Sequence, residues 1–325
     1  MEASPTFQRT LRPLGVGETL DRAVTLCVRN FRLLALTWGA FAAVVAVLEY
    51  FGTQDQSRMY GALADVLKHP AQGGGLDWSA LVLASQNNST FNGWTFAYFV
   101  AILLFTPLPS AALIAAISAN YLGAPTSFGI AYRIGLMRFP QLILYNILWL
   151  FCAGIVYFAF IFTVIIAVFA LVAIAQGLHG FGVLFGAVFG TVVGLVAVAF
   201  ALLATLAYEI GICTCVIDRR SFAESFTWAL THVFTRAGLG RSLLVGLALV
   251  AISIGYLVVS ATGQAILFGF VHNQALGLAY TAAVDIAGVI FATAFMTIFY
   301  YDVRVRTEGF DLTLGAREVV AEASA

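Results

Sequence analysis

The sequence predicts an all-α polytopic membrane protein with six transmembrane helices, on three observations. Hydrophobic residues make up 61% of the 325 and charged residues only 10%, where an ordinary soluble domain is about a quarter charged. Six apolar stretches, at 33–51, 94–119, 142–174, 182–212, 242–270 and 276–301, reach the roughly 20 residues that cross about 30 Å of hydrocarbon. Around them, 14 of the 16 Lys and Arg fall on alternate connections, the distribution that arises when cations flanking a span stay on one face. None of the stretches alternates as barrel strands do, and a helix satisfies every backbone polar group within its own segment.

The charges set the orientation. Arg9, Arg12, Arg22, Arg29 and Arg32 precede span one, Arg133 and Arg138 follow span two, and Arg219, Arg220, Arg236 and Arg241 follow span four. Arg304, Arg306 and Arg317 follow span six, whereas the other face holds Arg58 and Lys68. Both termini are therefore expected on the cytoplasmic side of a bacterial inner membrane, in one membrane domain covering 1–325. The formal net charge is zero. Arginines beside headgroups read as topology determinants, so no nucleic-acid partner is expected. The first span starts about 32 residues in, with no small-residue cleavage site after it, and reads as retained. Cys27, Cys152, Cys213 and Cys215 form no disulfide framework, and Cys213 and Cys215 lack a second ligand pair, so neither metal nor cofactor is expected.

Taken in order, the first element is amphipathic: Val16, Leu20, Ala23, Val24, Cys27, Val28 and Phe31 recur at helical spacing, with Glu18, Asp21, Arg22, Arg29 and Arg32 opposite. Such a helix lies in the headgroup plane or on the ends of its neighbours. After span one comes an extracytoplasmic loop, 52–93. Span two carries Pro107 and Pro109, which remove amide donors and predict a kink. A second amphipathic stretch begins at Phe128 and a third at Phe222. Aligning Val16, Phe128 and Phe222 brings Ala23, Gly135 and Ala229 to one offset, each followed by an aliphatic residue. The chain thus reads as a threefold repeat of interfacial helix plus two spans, in units 15–122, 125–217 and 220–312. Span four carries Gly182, Gly186, Gly190 and Gly194, a side-chain-free stripe suited to close helix packing or an oligomer contact.

Asp285 stands about ten residues into span six. A carboxylate at mid-bilayer opposes insertion by about 2.5–3.5 kcal/mol and needs a polar partner, water or a proton. Gln264, Asn146 or a tyrosine could supply that partner, making a candidate intramembrane polar site. His69, His179, His232 and His272 are scattered, and no HExxH, GxSxG or GxxxxGK[ST] pattern occurs.

The last span continues as Tyr300-Tyr301-Asp302-Val303-Arg304-Val305-Arg306-Thr307-Glu308-Gly309-Phe310-Asp311. Its charges are placed to form a cytoplasmic collar with the first amphipathic helix. Arg304 and Arg306 could reach Glu18 or Asp21, and Glu308 and Asp311 could reach Arg12, Arg22 or Arg29. This segment, with Arg12-Pro13-Leu14-Gly15-Val16-Gly17-Glu18-Thr19-Leu20-Asp21-Arg22-Ala23 and Arg29-Asn30-Phe31, resembles the membrane domain of glycerophosphoryl diester phosphodiesterases. In enzymes of that family the membrane part is fused to a soluble catalytic barrel, which needs roughly 200 or more further residues. The resemblance implies a stand-alone membrane domain, carries over no catalytic residue, and points to phospholipid. The expected function is non-catalytic: binding or organising phospholipid or a membrane-protein partner, a second copy included. A small transporter or channel using Asp285 is the alternative, and a membrane-embedded lipid enzyme a lesser one.

Overall fold

The computed structural model describes residues 12–52, 93–178, 180–235, 238–267 and 274–310, with the side chains of 52, 94, 95, 99, 156–187, 190, 195, 265 and 274 excepted. Its elements are α1 (Val16–Gly52), α2 (Gly93–Phe105), α3 (Pro107–Tyr121), α4 (Phe128–Leu178), α5 (Gly180–Ile217), α6 (Phe222–Val233), α7 (Leu239–Ile266) and α8 (Gln274–Glu308). Among the described residues there is no strand. Six segments are long and apolar enough to cross a membrane, α2 and α3 together making one of them, and each overlaps one of the six stretches read from the sequence. The protein is an all-α polytopic membrane protein.

The amphipathic segments meet their spans in different ways. α1 is continuous but departs from helical geometry at Asn30 (φ −116°, ψ 16°), which divides the amphipathic part from the span. The Asn30 side-chain amide donates to the Leu26 carbonyl at 3.0 Å, occupying a group the break would release. α4 carries Pro140 at the corresponding junction, where the missing amide and the ring disturb the preceding turn. α6 is a separate helix, started by a reciprocal capping box between Ser221 and Glu224 and ended at Phe234. α1, α4 and α6 begin at Val16, Phe128 and Phe222, the residues the alignment superposes. Their burial is in phase as well: Thr19, Ala131 and Ser225 are buried, and so, one turn on, are Ala23, Gly135 and Ala229.

The chain divides into two compact units, Met1–Met137 with Leu249–Ala325, and Arg138–Ala248, so both boundaries fall inside helices and do not follow the repeat. In the first unit α1 packs along α8 and against α2 and α3, and α3 packs on α8. Every residue from Ala111 to Ile117 and from Ala294 to Asp302 is buried, so α3 over 111–117 and α8 over 294–302 are enclosed on all sides. Gly135 permits the first turns of α4 to lie on α3, since a Cβ there would come within 3.0 Å of the Leu108 carbonyl and 3.4 Å of Ala112 Cβ. At the proline pair Thr106 keeps helical torsions (φ −53°, ψ −35°), and the chain passes from α2 to α3 with its Oγ1 buried and unpaired.

In the second unit α6 packs on α5, whose residues Ile210 to Val216 are all buried. A single device recurs in both units. The Tyr145 hydroxyl donates to the carbonyls of Ala207 and Tyr208 at 3.2 and 3.1 Å, and a Cβ on Gly211 would overlap its phenol. The Tyr280 hydroxyl donates to the Val259 carbonyl at 2.8 Å, and a Cβ on Gly263 would overlap its ring. A carbonyl already bonded within its helix keeps a second lone pair, and glycine one turn on removes the Cβ that would cover it.

Candidate functional site

The first site is the polar group around Asp285, in the first unit. Asp285 lies 11 residues past the start of α8, about 16 Å along it, which is midway through about 30 Å of hydrocarbon. The Trp38 indole N–H of α1 donates to its Oδ2 at 3.3 Å, and the Tyr256 phenol of α7 interacts with it electrostatically. Buried Ser260 lies one turn along α7 from Tyr256. Glycine again makes the approach possible, because a Cβ on Gly288 would come within 2.9 Å of Tyr256 Cδ2. Of the three candidates proposed from the sequence, Gln264 sits a turn away, donating to Thr281 Oγ1 at 2.8 Å. Asn146 belongs to the second unit, where it accepts from the Tyr208 hydroxyl at 2.9 Å. The hydrogen-bonded partner of Asp285 is the Trp38 indole, which the sequence reading did not name.

Glu49, which drew no role from its position near a span end, feels the charge of Asp285, as does Tyr98. Trp38 and Glu49 are 11 residues apart on α1, close to three whole turns, so they share one face. That spacing was the available signal. The group therefore holds two carboxyls, two phenols, an indole N–H and a hydroxyl, drawn from α1, α2, α7 and α8.

The second site joins the chain ends. The buried carboxylate of Asp302 accepts from the Leu14 backbone N–H at 2.6 Å and from Arg306 Nε at 3.2 Å. Arg306 Nη2 donates back to the Leu14 carbonyl at 3.0 Å, so both backbone groups of one buried residue are held by two side chains of α8. Beside them the Ser118 and Tyr301 hydroxyls are bonded at 2.7 Å, and the Tyr121 and Tyr301 rings lie 5.3 Å apart. The collar's pairing differs from the sequence expectation. Arg12 and Arg22 both meet Glu18, at 2.8 and 2.9 Å, and Arg22 reaches the Tyr121 hydroxyl at 3.4 Å. Arg304 meets Glu308 at 2.8 Å and covers the Phe310 ring at 4.0 Å, instead of reaching Glu18. Partners one helical turn away lose less side-chain freedom on pairing than partners on another segment, so the local pairs form. Asp21 is exposed, and Asp311 lies outside the described residues.

The third feature is the outward face of the first two amphipathic segments. On α1, Val24, Val28 and Phe31 are exposed beside exposed Arg29 and Arg32, Val28 being 73% exposed. On α4, Ile130, Leu136 and Met137 are exposed around exposed Arg133. The Tyr132 hydroxyl ties the two segments by donating to the Thr37 carbonyl at 2.8 Å.

The glycine stripe falls on α5, where Gly194 alone of Gly182, Gly186, Gly190 and Gly194 has described surroundings. A Cβ there would meet nothing within 4 Å among the described residues. The loop expected on the extracytoplasmic side lies outside the described residues from 53 to 92. None of the four cysteines forms a disulfide, and no group of three or more His, Cys, Asp or Glu among the described residues could hold a metal ion. Compared with known proteins, the chain matches no family model, no curated protein and no solved structure.

Proposed function

We propose that this chain is a non-catalytic integral membrane protein of a bacterial inner membrane, with both termini cytoplasmic. In this reading it binds and organises phospholipid or a membrane-protein partner through its interfacial segments. The observation that carries the proposal is the two-sided build of the first two segments. Thr19, Ala23, Ala131 and Gly135 are packed inward, while Val28, Phe31, Leu136 and Met137 point outward beside arginines. Apolar side chains flanked by cations suit the boundary between acyl chains and headgroups. The likeness of the end motifs to phosphodiesterase membrane domains fits the same reading.

Extraction into native nanodiscs followed by mass spectrometry tests it, with Asp285→Asn run alongside. One lipid or protein enriched over the bulk membrane, in both the unsubstituted protein and the variant, is the expected result. No enrichment would defeat the reading.

A small transporter or channel is the second reading, and the observation in its favour is specific. Glu49 and Asp285 face a common polar group within a membrane-spanning bundle, where ionisable residues mark substrate and ion pathways. Loss of a bound small molecule in Asp285→Asn would favour this reading over the first. A lipid enzyme would need several acid or histidine groups converging at the depth of Asp285, and among the described residues Glu49 is the further carboxyl of this group, beside phenols, an indole and a hydroxyl.

A further inference from the structure

The described arginines of the first unit fall into two sets. Arg12, Arg22, Arg304 and Arg306 each meet a carboxylate at 2.8 to 3.2 Å. Arg29, Arg32 and Arg133 are exposed and pair with no acidic side chain among the described residues. A hydrogen bond links the helices that carry these three. Arg29 and Arg32 flank the break of α1 at Asn30, Thr37 lies five residues beyond Arg32, about 7.5 Å along the helix, and Tyr132, next to Arg133, is bonded to Thr37. Asp21 is the exposed acid of the same outward stripe, eight residues before Arg29, so the face keeps a positive excess beside Val28, Phe31 and Met137.

We propose that this face binds anionic phospholipid: Arg29, Arg32 and Arg133 hold the negatively charged headgroups, and the exposed apolar side chains between them take the acyl chains. The inference rests on the phospholipid reading above and narrows it to a lipid class and a set of residues that excludes the self-paired collar. An arginine near an anionic surface is worth about 1 kcal/mol, roughly a fivefold preference, and three multiply to about a hundredfold where they act independently.

The test reconstitutes the full chain in nanodiscs of equal parts phosphatidylglycerol and phosphatidylcholine, and reads by native mass spectrometry the ratio of the two lipids retained on release into detergent. The expected result is enrichment of phosphatidylglycerol that falls at least tenfold in R29Q/R32Q/R133Q and is unchanged in R12Q/R304Q. Because flanking arginines also direct insertion, the unsubstituted protein is measured at about 0.05 and about 0.5 M salt. The Debye length then shrinks from about 14 to about 4 Å and the preference should fall with it. Preference that persists in the triple variant, that resists salt, or that disappears in R12Q/R304Q overturns the inference. Lipid retained without headgroup preference overturns it while leaving the phospholipid reading standing, and no retained lipid in either form defeats both.

Discussion

The junction of the chain ends makes a quantitative prediction, because a buried backbone residue there depends on one carboxylate. Leu14 is 1% exposed and the Asp302 side chain 0%. Asp302→Ala leaves the Leu14 N–H without its acceptor in a site that water does not reach, a loss of about 1–3 kcal/mol. It also strips Arg306 of its counter-charge, but that side chain is 41% exposed, so solvent screens most of the effect and about 0.5 kcal/mol is a fair allowance. Asp302→Asn keeps an oxygen for Leu14 and should cost about 1 kcal/mol, the difference between a charge-assisted and a neutral bond. Arg306→Ala leaves the buried Leu14 carbonyl without that donor and should cost about 1 kcal/mol. The two side chains grip the same residue, so the double substitution Asp302→Ala/Arg306→Ala should fall short of the sum by about 1 kcal/mol. Reversible unfolding in mixed micelles, monitored by helical circular dichroism, measures all four free energies. Strict additivity, or Asp302→Asn as damaging as Asp302→Ala, would show that Leu14 is not held in this way.

The remaining predictions concern single contacts. Gly211→Ala and Gly263→Ala should each cost about 1–3 kcal/mol through overlap with Tyr145 and Tyr280, and Tyr145→Phe should relieve little of the first because the ring remains. The same unfolding measurement checks them, and a neutral Gly211→Ala would refute the seat. Ser221→Ala removes one arm of the capping box and should cost about 1 kcal/mol, with exchange protection falling first in the opening turn of α6. Asp285→Asn should be close to neutral, whereas Asp285→Leu should cost about 1–3 kcal/mol by leaving the Trp38 N–H without an acceptor. Equal stability of the two variants would mean that this donor finds water instead.

The spans and the starts of α1, α4 and α6 were legible because hydropathy and capping are local properties, written within a few residues of where they act. The partners of Asp285 were not, and the reason is register. α7 and α8 are consecutive spans, and the contacts Tyr256 to Gly288, Val259 to Tyr280 and Gln264 to Thr281 fix how one slides along the other. The turn between them sets that slide, and an apolar run does not reveal where its turn falls to better than a helical turn. Gln264 was therefore placed against Asp285 when it meets Thr281, four residues earlier. The contacts of Leu14 were hidden for another reason: they use its N–H and carbonyl, which every residue but proline carries, so no side chain announces them.

The arginines show the opposite case, in which spacing held more than was taken from it. Glu18 and Arg22, Asp302 and Arg306, and Arg304 and Glu308 are all four residues apart, the distance at which opposite charges meet on a helix. Arg29, Arg32 and Arg133 have no acid three or four positions away in either direction. The helical period pairs Arg22, Arg304 and Arg306 in advance and leaves Arg29, Arg32 and Arg133 without such an acid, but it does not foresee Arg12, whose partner Glu18 stands six residues away. What the period cannot show is that Tyr132, bonded to Thr37, carries Arg133 across from another segment to complete the unpaired set. That step depends on a side chain reaching a backbone carbonyl 95 residues away, and so it belongs to the fold.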